Sequence, residues 1–299
     1  MSTRVTQNML NQNMLFNLSR TDQAMQKYQD QASSGKKINK PSDDPVTAGR
    51  AMYYRSSLNE IDQYKLNADD GISWLTTTDD ALDEVNSVLQ RVRELTVQGL
   101  NGTNDDSART AIAEEISQLK EHLGEVANSQ IAGKFIFAGT DVKNPPYRAD
   151  ENDPNSVKEF RNSNKEKLEL QVGQNNSVQI NIPGIDVFQQ GGGLFSVLSN
   201  IVSNLKSGTL TSDSLGKLDG QIDNILTKRS EIGARMNRME LSQSRLENLE
   251  VSTTALLSKE EDADLSQVII NLKSEENVQR AALSIGARVI QPSLVDFLR

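Results

Sequence analysis

The sequence predicts a mainly α protein: an elongated antiparallel helical rod, a coiled-coil-like bundle of the N- and C-terminal segments, with a small inserted β-containing domain. Three observations predict it. Apolar residues recur at three- and four-residue intervals over long runs in both halves of the 299-residue chain, the period of a helix face. Alternating patterns are confined to the middle. Aromatic residues make up only 4%, with a single Trp, Trp74, whereas compact cores lean on large aromatics because each buries so much area.

The first helix carries Met14, Leu18, Thr21, Met25, Tyr28 and Ala32, a heptad seam interrupted by one Thr, and stops at Ser33-Ser34-Gly35. The next stretch, SSGKKINKPSDDPVTAGRAM, contains a Gly-Lys pair that invites comparison with a phosphate-binding loop. That loop needs a Gly five residues before its Gly-Lys and a Ser or Thr after the Lys; those positions here are Asp30 and Lys37. The stretch reads instead as a loop between helices. Pro45 suits a first helical position because its missing N–H needs no partner there. Asp44 is placed to cap the new helix, and both Asp43 and Asp44 suit its positive dipole end.

The second helix is long, with near-heptad spacing from Ile61 through Tyr64, Ala68, Ile72, Leu75, Leu82, Val85 and Leu89 to Val92. It ends at the turn signal Gly99-Leu100-Asn101-Gly102. A third helix follows with Ile112, Ile116, Leu119, Leu123 and Val126. The pattern then changes. Phe135 and Phe137 alternate as in a strand, and LELQV and VQINI, separated by GQNNS, predict a hairpin. Gly191-Gly192-Gly193 reads as a flexible hinge. Helices resume with Leu218, Ile222, Ile225, Ile232, Met236, Met239, Leu246 and Leu249. Ser258 to Glu261 fits a capping box and is expected to start the last helix, which carries Leu265, Val268, Leu272, Val278, Ala282, Ile285 and Val289. The expected division is 1–44 paired with 258–299, a helical rod of 45–140 with 205–257, and a β-rich insert at 141–204.

Two antiparallel terminal helices bury only facing stripes. They either fray until neighbouring copies surround them or dock on the protein's own bundle, and the pattern leaves both open.

Composition excludes several function classes. The net charge is -9, with no basic stripe, so the electrostatic footprint of a nucleic-acid binder is missing. No apolar run is long enough to span a membrane, and the first sixteen residues lack the basic and apolar regions of a secretory signal peptide. The chain has no Cys and one His, His122, which removes disulfides, thiolate sites and His-pair metal sites. His122 reads as a surface helix residue. Asp69-Asp70, Asp79-Asp80 and Asp105-Asp106 are adjacent pairs whose side chains diverge on a helix, so they read as surface residues or caps rather than acid/base pairs. Asp43, Asp44 and Arg50 read either as cap and solvated face or as a polar contact between subunits. No cofactor is expected, and the absence of a convergent polar constellation argues against an enzyme.

Several stretches resemble the flagellin family. SSGKKINKPSDDP, the flanking NMLFNLSRTDQAMQKYQDQ and GISWLTTTDDALDEVNSVLQRVRELTVQGLNGT, and IAGKFIFAGT are similar to its N-terminal half. EEDADLSQVIINLKSEENVQRAALSIGARVIQPSLVDFLR is similar to its C-terminal helix. Two details, KPSDDPV in place of an Ala-rich loop and the motif SLVDFL, resemble the members that join hook to filament more than flagellin itself. The resemblance implies type III flagellar export, a cytoplasmic export chaperone on the C-terminal helix, and a place outside the cell between the first junction protein and flagellin. It also implies self-assembly into a layer through the terminal helices, with Met14, Leu18, Met25, Leu265, Val268, Leu272, Ile285 and Val289 at contacts. Its work would be mechanical.

Overall fold

The structure, a computed structural model, describes residues 7–101, 105–149 and 157–290. The order is α1 (Gln7–Ser34), α2 (Pro45–Leu100), α3 (Asp106–Ala127), β1 (Gln130–Ile131), β2 (Lys134–Phe135), β3 (Tyr147–Arg148), β4 (Glu159–Phe160), β5 (Glu169–Gly173), β6 (Asn176–Gln179), α4 (Gly184–Phe188), α5 (Leu194–Ser207), α6 (Ser212–Glu261) and α7 (Leu265–Ile290). The mainly α class with small antiparallel strand pairs is as expected. The chain divides into two compact units, Met1–Glu60 with Leu249–Arg299, and Ile61–Asn248.

The Ile61–Asn248 unit holds the apolar core. Leu75, Leu82, Val85, Leu89 and Val92 of α2 are fully buried, as the heptad spacing requires. They join Ile116 and Leu123 of α3 and Leu218, Ile225, Ile232 and Met239 of α6 in one cluster. Ion pairs tie α2 to α6 at its edge. The Arg229 guanidinium reaches Asp79 at 3.0 Å and also Asp83 at 2.5 Å, and Arg93 reaches Asp219 at 2.7 Å. Asp79 therefore has a structural partner, while Asp105 caps α3 by accepting from the Ala108 N–H at 2.8 Å. His122 lies half-exposed, 2.9 Å from Glu84.

Helix α5 departs from the β-rich insert expected at 141–204. It packs on α3, and Leu194, Leu198, Ile201 and Leu205 are fully buried at helical spacing. The C-terminal part of the expected β-rich stretch thus carries helix, in α4 and α5. Gly191, Gly192 and Gly193 adopt φ of 66°, 94° and 83°, a run that only Gly enters readily. The Gln221 amide holds this turn by donating to the Gln190 carbonyl at 2.9 Å. The expected 168–182 hairpin is present as β5–β6, with Leu170 opposite Val178 and only Gln174 and Asn175 in the turn. Its inward residues Val172, Val178, Ile180 and Ile182 are buried. The strand expected through Phe135 and Phe137 pairs only as far as Phe135. Phe137 instead turns into an aromatic cluster, edge-on to Phe188 at 5.2 Å, with Phe188 stacked near Phe160 and Phe195.

The β1–β2 hairpin turns through Ala132 (φ 49°) and Gly133 (φ 77°). Positive φ at both central residues is the type I′ turn that matches strand twist, and Ala is strained there. Replacing Ala132 by Gly is expected to stabilise this unit by about 0.5–1 kcal/mol. Urea unfolding followed by Trp74 fluorescence checks it; a loss of stability would mean the Ala132 methyl packs usefully.

Candidate assembly interface

In the Met1–Glu60/Leu249–Arg299 unit, α1 and α7 pair. They run antiparallel. Met14 lies against Gly286, Asp22 accepts from the Gln279 amide at 2.6 Å, and the Gly35 carbonyl accepts from Ala263 N–H at 2.9 Å. Every residue of the α1 seam, Met14, Leu18, Thr21, Met25, Tyr28 and Ala32, is half-buried. The α7 seam differs from expectation. Val268 is buried and Leu272 and Ala282 are half-buried, but the heptad continues through Glu275, Gln279 and Gly286. Leu265, Val278 and Ile285 are exposed. Where the paired face turns polar, the apolar Val278 and Ile285 stand one position off it. A Cβ on Gly286 would meet the Met14 Cε at 1.8 Å, so the missing side chain there sets the helix separation. The side chain of Val289 lies outside the described residues.

The last helix does not begin at Ser258. Helix α6 runs on to Glu261, and α7 starts at Leu265. The Ser258 hydroxyl is used by Asp262 at 2.5 Å, and Asp264 takes the cap by accepting from Gln267 N–H at 3.2 Å. The turn freed in this way carries the ionic centre of the unit. The Glu261 carboxylate is buried and accepts Arg55 Nε at 3.0 Å, with Arg55 Nη2 and Lys36 Nζ also in contact. Burial alone would raise its pKa, but Arg55 and Lys36 outweigh burial and hold it below the usual carboxylate value. Backbone bonds close the joint: Lys37 N–H donates to the Glu261 carbonyl at 2.7 Å, and the Gln31 amide donates to the Lys37 carbonyl at 2.6 Å.

The three polar candidates each have a partner within the chain. Asp43 closes the loop by accepting from Asn39 and Lys40 N–H groups at 3.2 and 3.0 Å. Asp44 caps α2 through Val46 and Thr47 N–H groups, and the Thr47 hydroxyl, its strongest partner, holds its pKa below the ordinary value. Arg50 pairs with Glu260 at 3.5 Å. Lys36, Arg55 and Glu261 were missed because Arg55 and Glu261 stand 206 positions apart, which leaves no local pattern.

Among its described residues this unit buries few apolar side chains. The buried side chains described there are Ala48, Ala51 and Val268 beside the polar Gln31, Thr253 and Glu261. Phe16 (64%), Tyr53 (70%), Val251 (70%) and Ile270 (62%) are instead exposed. Among the described residues no group of His, Asp or Glu side chains could hold a metal ion, and no helix is long and apolar enough to cross a membrane.

Paired helical chain ends that leave their apolar surface uncovered, flanking a well-packed helical unit in sequence, define a structural protein of the assembling kind. The chain belongs to the bacterial flagellin family: the bacterial flagellin N-terminal helical region matches residues 5–141 and the C-terminal helical region matches residues 215–298. Between the two matches lie β3 to β6, α4 and α5. A flagellin from Halalkalibacterium halodurans is 26% identical over 93% of this chain and 91% of its own. The flagellar hook-associated protein 3 of Escherichia coli K12 is 25% identical over 93% of each chain. The crystal structure of flagellar hook-associated protein 3 from Legionella pneumophila shares the fold, with a TM-score of 0.63 at 15% identity over 70% of this chain and 98% of that one.

Proposed function

We propose that this chain is the junction protein that joins the flagellar hook side to the filament. The motif SLVDFL, residues 293–298, carries the reading: it resembles the pattern of the junction members of the family, and the full-length relationship to hook-associated protein 3 agrees with it. The motif itself lies outside the described residues. The chain is exported by the flagellar type III route, held beforehand by a cytoplasmic chaperone, and takes its place outside the cell. Its partners are the first junction protein on one side, flagellin on the other, and further copies of itself within one layer. It catalyses nothing. Met14, Leu18, Met25, Val268 and Leu272 hold its own helix pair, whereas the exposed Leu265 and Ile285, with Val289, serve contacts between copies.

A second reading, the bulk filament subunit, draws on the full-length identity to flagellin. Electron microscopy of the concentrated purified protein separates the two. A junction protein is expected to give no long filaments alone; long filaments would reassign it to flagellin.

A further inference from the structure

A cavity of about 140 Å³ in the Ile61–Asn248 unit lies where the segment leading into β5 faces α4 and α6. Lys228 and Arg235 stand two turns apart on α6, so both point to one side of it. Their side chains are only 19% and 17% exposed. Between them, the single carboxylate of Glu231 serves both, 3.3 Å from Lys228 Nζ and in contact with Arg235 Nη2. Arg235 also donates to the Asn181 carbonyl at 2.7 Å, which fixes its guanidinium at the cavity wall. Lys165 and Lys167, from the segment leading into β5, also line the cavity. Neither has an ion-pair partner among the described residues. Asp186 is the second carboxylate of the lining. Four cations face two carboxylates, so two positive charges are in excess, in a chain whose net charge is -9.

We propose that this cavity binds a dianionic oxyanion, a phosphate or sulfate group, held as a free ion or as an ester on a sulfated or phosphorylated sugar. Two excess charges match a dianion. Arg235 offers a planar fork of donors already oriented by Glu231 and Asn181, the arrangement that suits such oxygens. Lys165 and Lys167 supply mobile point charges that close over it. The exposed positions of these two lysines mean that replacing them leaves the packing intact.

Backbone amide NMR tests the site on the full chain, near pH 7.5 where phosphate is mainly dianionic. Sodium phosphate, sodium sulfate and a sulfated disaccharide are titrated against sodium chloride at matched ionic strength. Saturable shifts centred on residues 165–167, 179 and 228–235 are expected with phosphate and sulfate and absent with chloride. The Lys165→Gln/Lys167→Gln variant, its fold checked by circular dichroism, is expected to bind about tenfold more weakly. A disaccharide that binds much more tightly than free sulfate assigns the site to an ester on a sugar; equal affinities assign it to the free ion. Shifts that follow ionic strength alone, or a double variant that binds unchanged, overturn the proposal.

Discussion

Gly124→Ala is expected to destabilise the Ile61–Asn248 unit by about 3 kcal/mol, at the upper end of what overpacking costs. A Cβ at Gly124 would lie 2.1 Å from Tyr147 Cε1 and 2.5 Å from two further atoms of the same ring. The ring is rigid and has nowhere to retreat. Its backbone is held on both sides by Asn128, whose amide donates to the Tyr147 carbonyl at 2.8 Å and accepts from its N–H at 2.9 Å. Its face packs on Phe195 at 4.7 Å. Trp74, buried in the same unit, reports unfolding in urea. A loss below about 0.5 kcal/mol, the range of neutral surface changes, would show that the ring swings away.

The hydroxyl of that tyrosine provides the control. Tyr147 Oη is buried with no hydrogen-bond partner among the described residues. Burial, helped by Glu121 and Glu159, pushes its pKa up to about 12. Tyr147→Phe removes an unpaired polar atom and keeps the ring, so it is expected to be neutral or mildly stabilising.

Glu261→Ala is expected to loosen the other unit by about 2 kcal/mol. The variant leaves Lys36 and Arg55 without their shared partner, but both are close to half-exposed and return to water, which keeps the loss below that of a fully buried pair. Glu261→Gln still accepts hydrogen bonds and is expected to recover part of it. The pH dependence follows from the lowered pKa. The folded chain binds its proton more weakly than the unfolded chain does, so the stabilisation is complete above the ordinary value of 4.5 and fades as the pH falls through the lower folded value. The protection of the Lys37 and Ala263 amides, whose N–H groups bond across the joint, is expected to fall on acidification in the natural chain, measured as the exchange rate relative to that of the unfolded chain at the same pH. In Glu261→Ala the protection is expected to be low at both ends of that range. Equal protection in the two proteins near neutral pH would mean that the backbone bonds hold the joint without the carboxylate.

The helices were legible in the sequence where one face is strictly apolar. The α2 seam from Leu75 to Val92 and the α1 seam from Met14 to Ala32 sit where their spacing placed them. Local chemistry was equally readable at Asp44 and Pro45, because a cap is made by neighbours in sequence. The α7 face was misread where Glu275 and Gln279 occupy seam positions in a pairing that buries little apolar area. Helix α5 was hidden by its place among glycines and strands, although Leu194, Leu198, Ile201 and Leu205 carry the period openly. The Glu261 centre could not be read at all, since its cations come from Lys36 and Arg55 at the far end of the chain and only folding joins them. The exposure of Phe16, Tyr53, Val251 and Ile270 was not legible either, because apolar residues at helical spacing do not say which of them find a facing partner.

The most direct measurement is electron microscopy of isolated hooks that bear the first junction protein, incubated with this protein and then with flagellin. A hook–filament junction protein adds a thin layer to the hook tip, and filaments then grow from tips that carry the layer and not from bare ones. Hooks that gain no layer, or that support flagellin growth equally without it, would contradict the assignment.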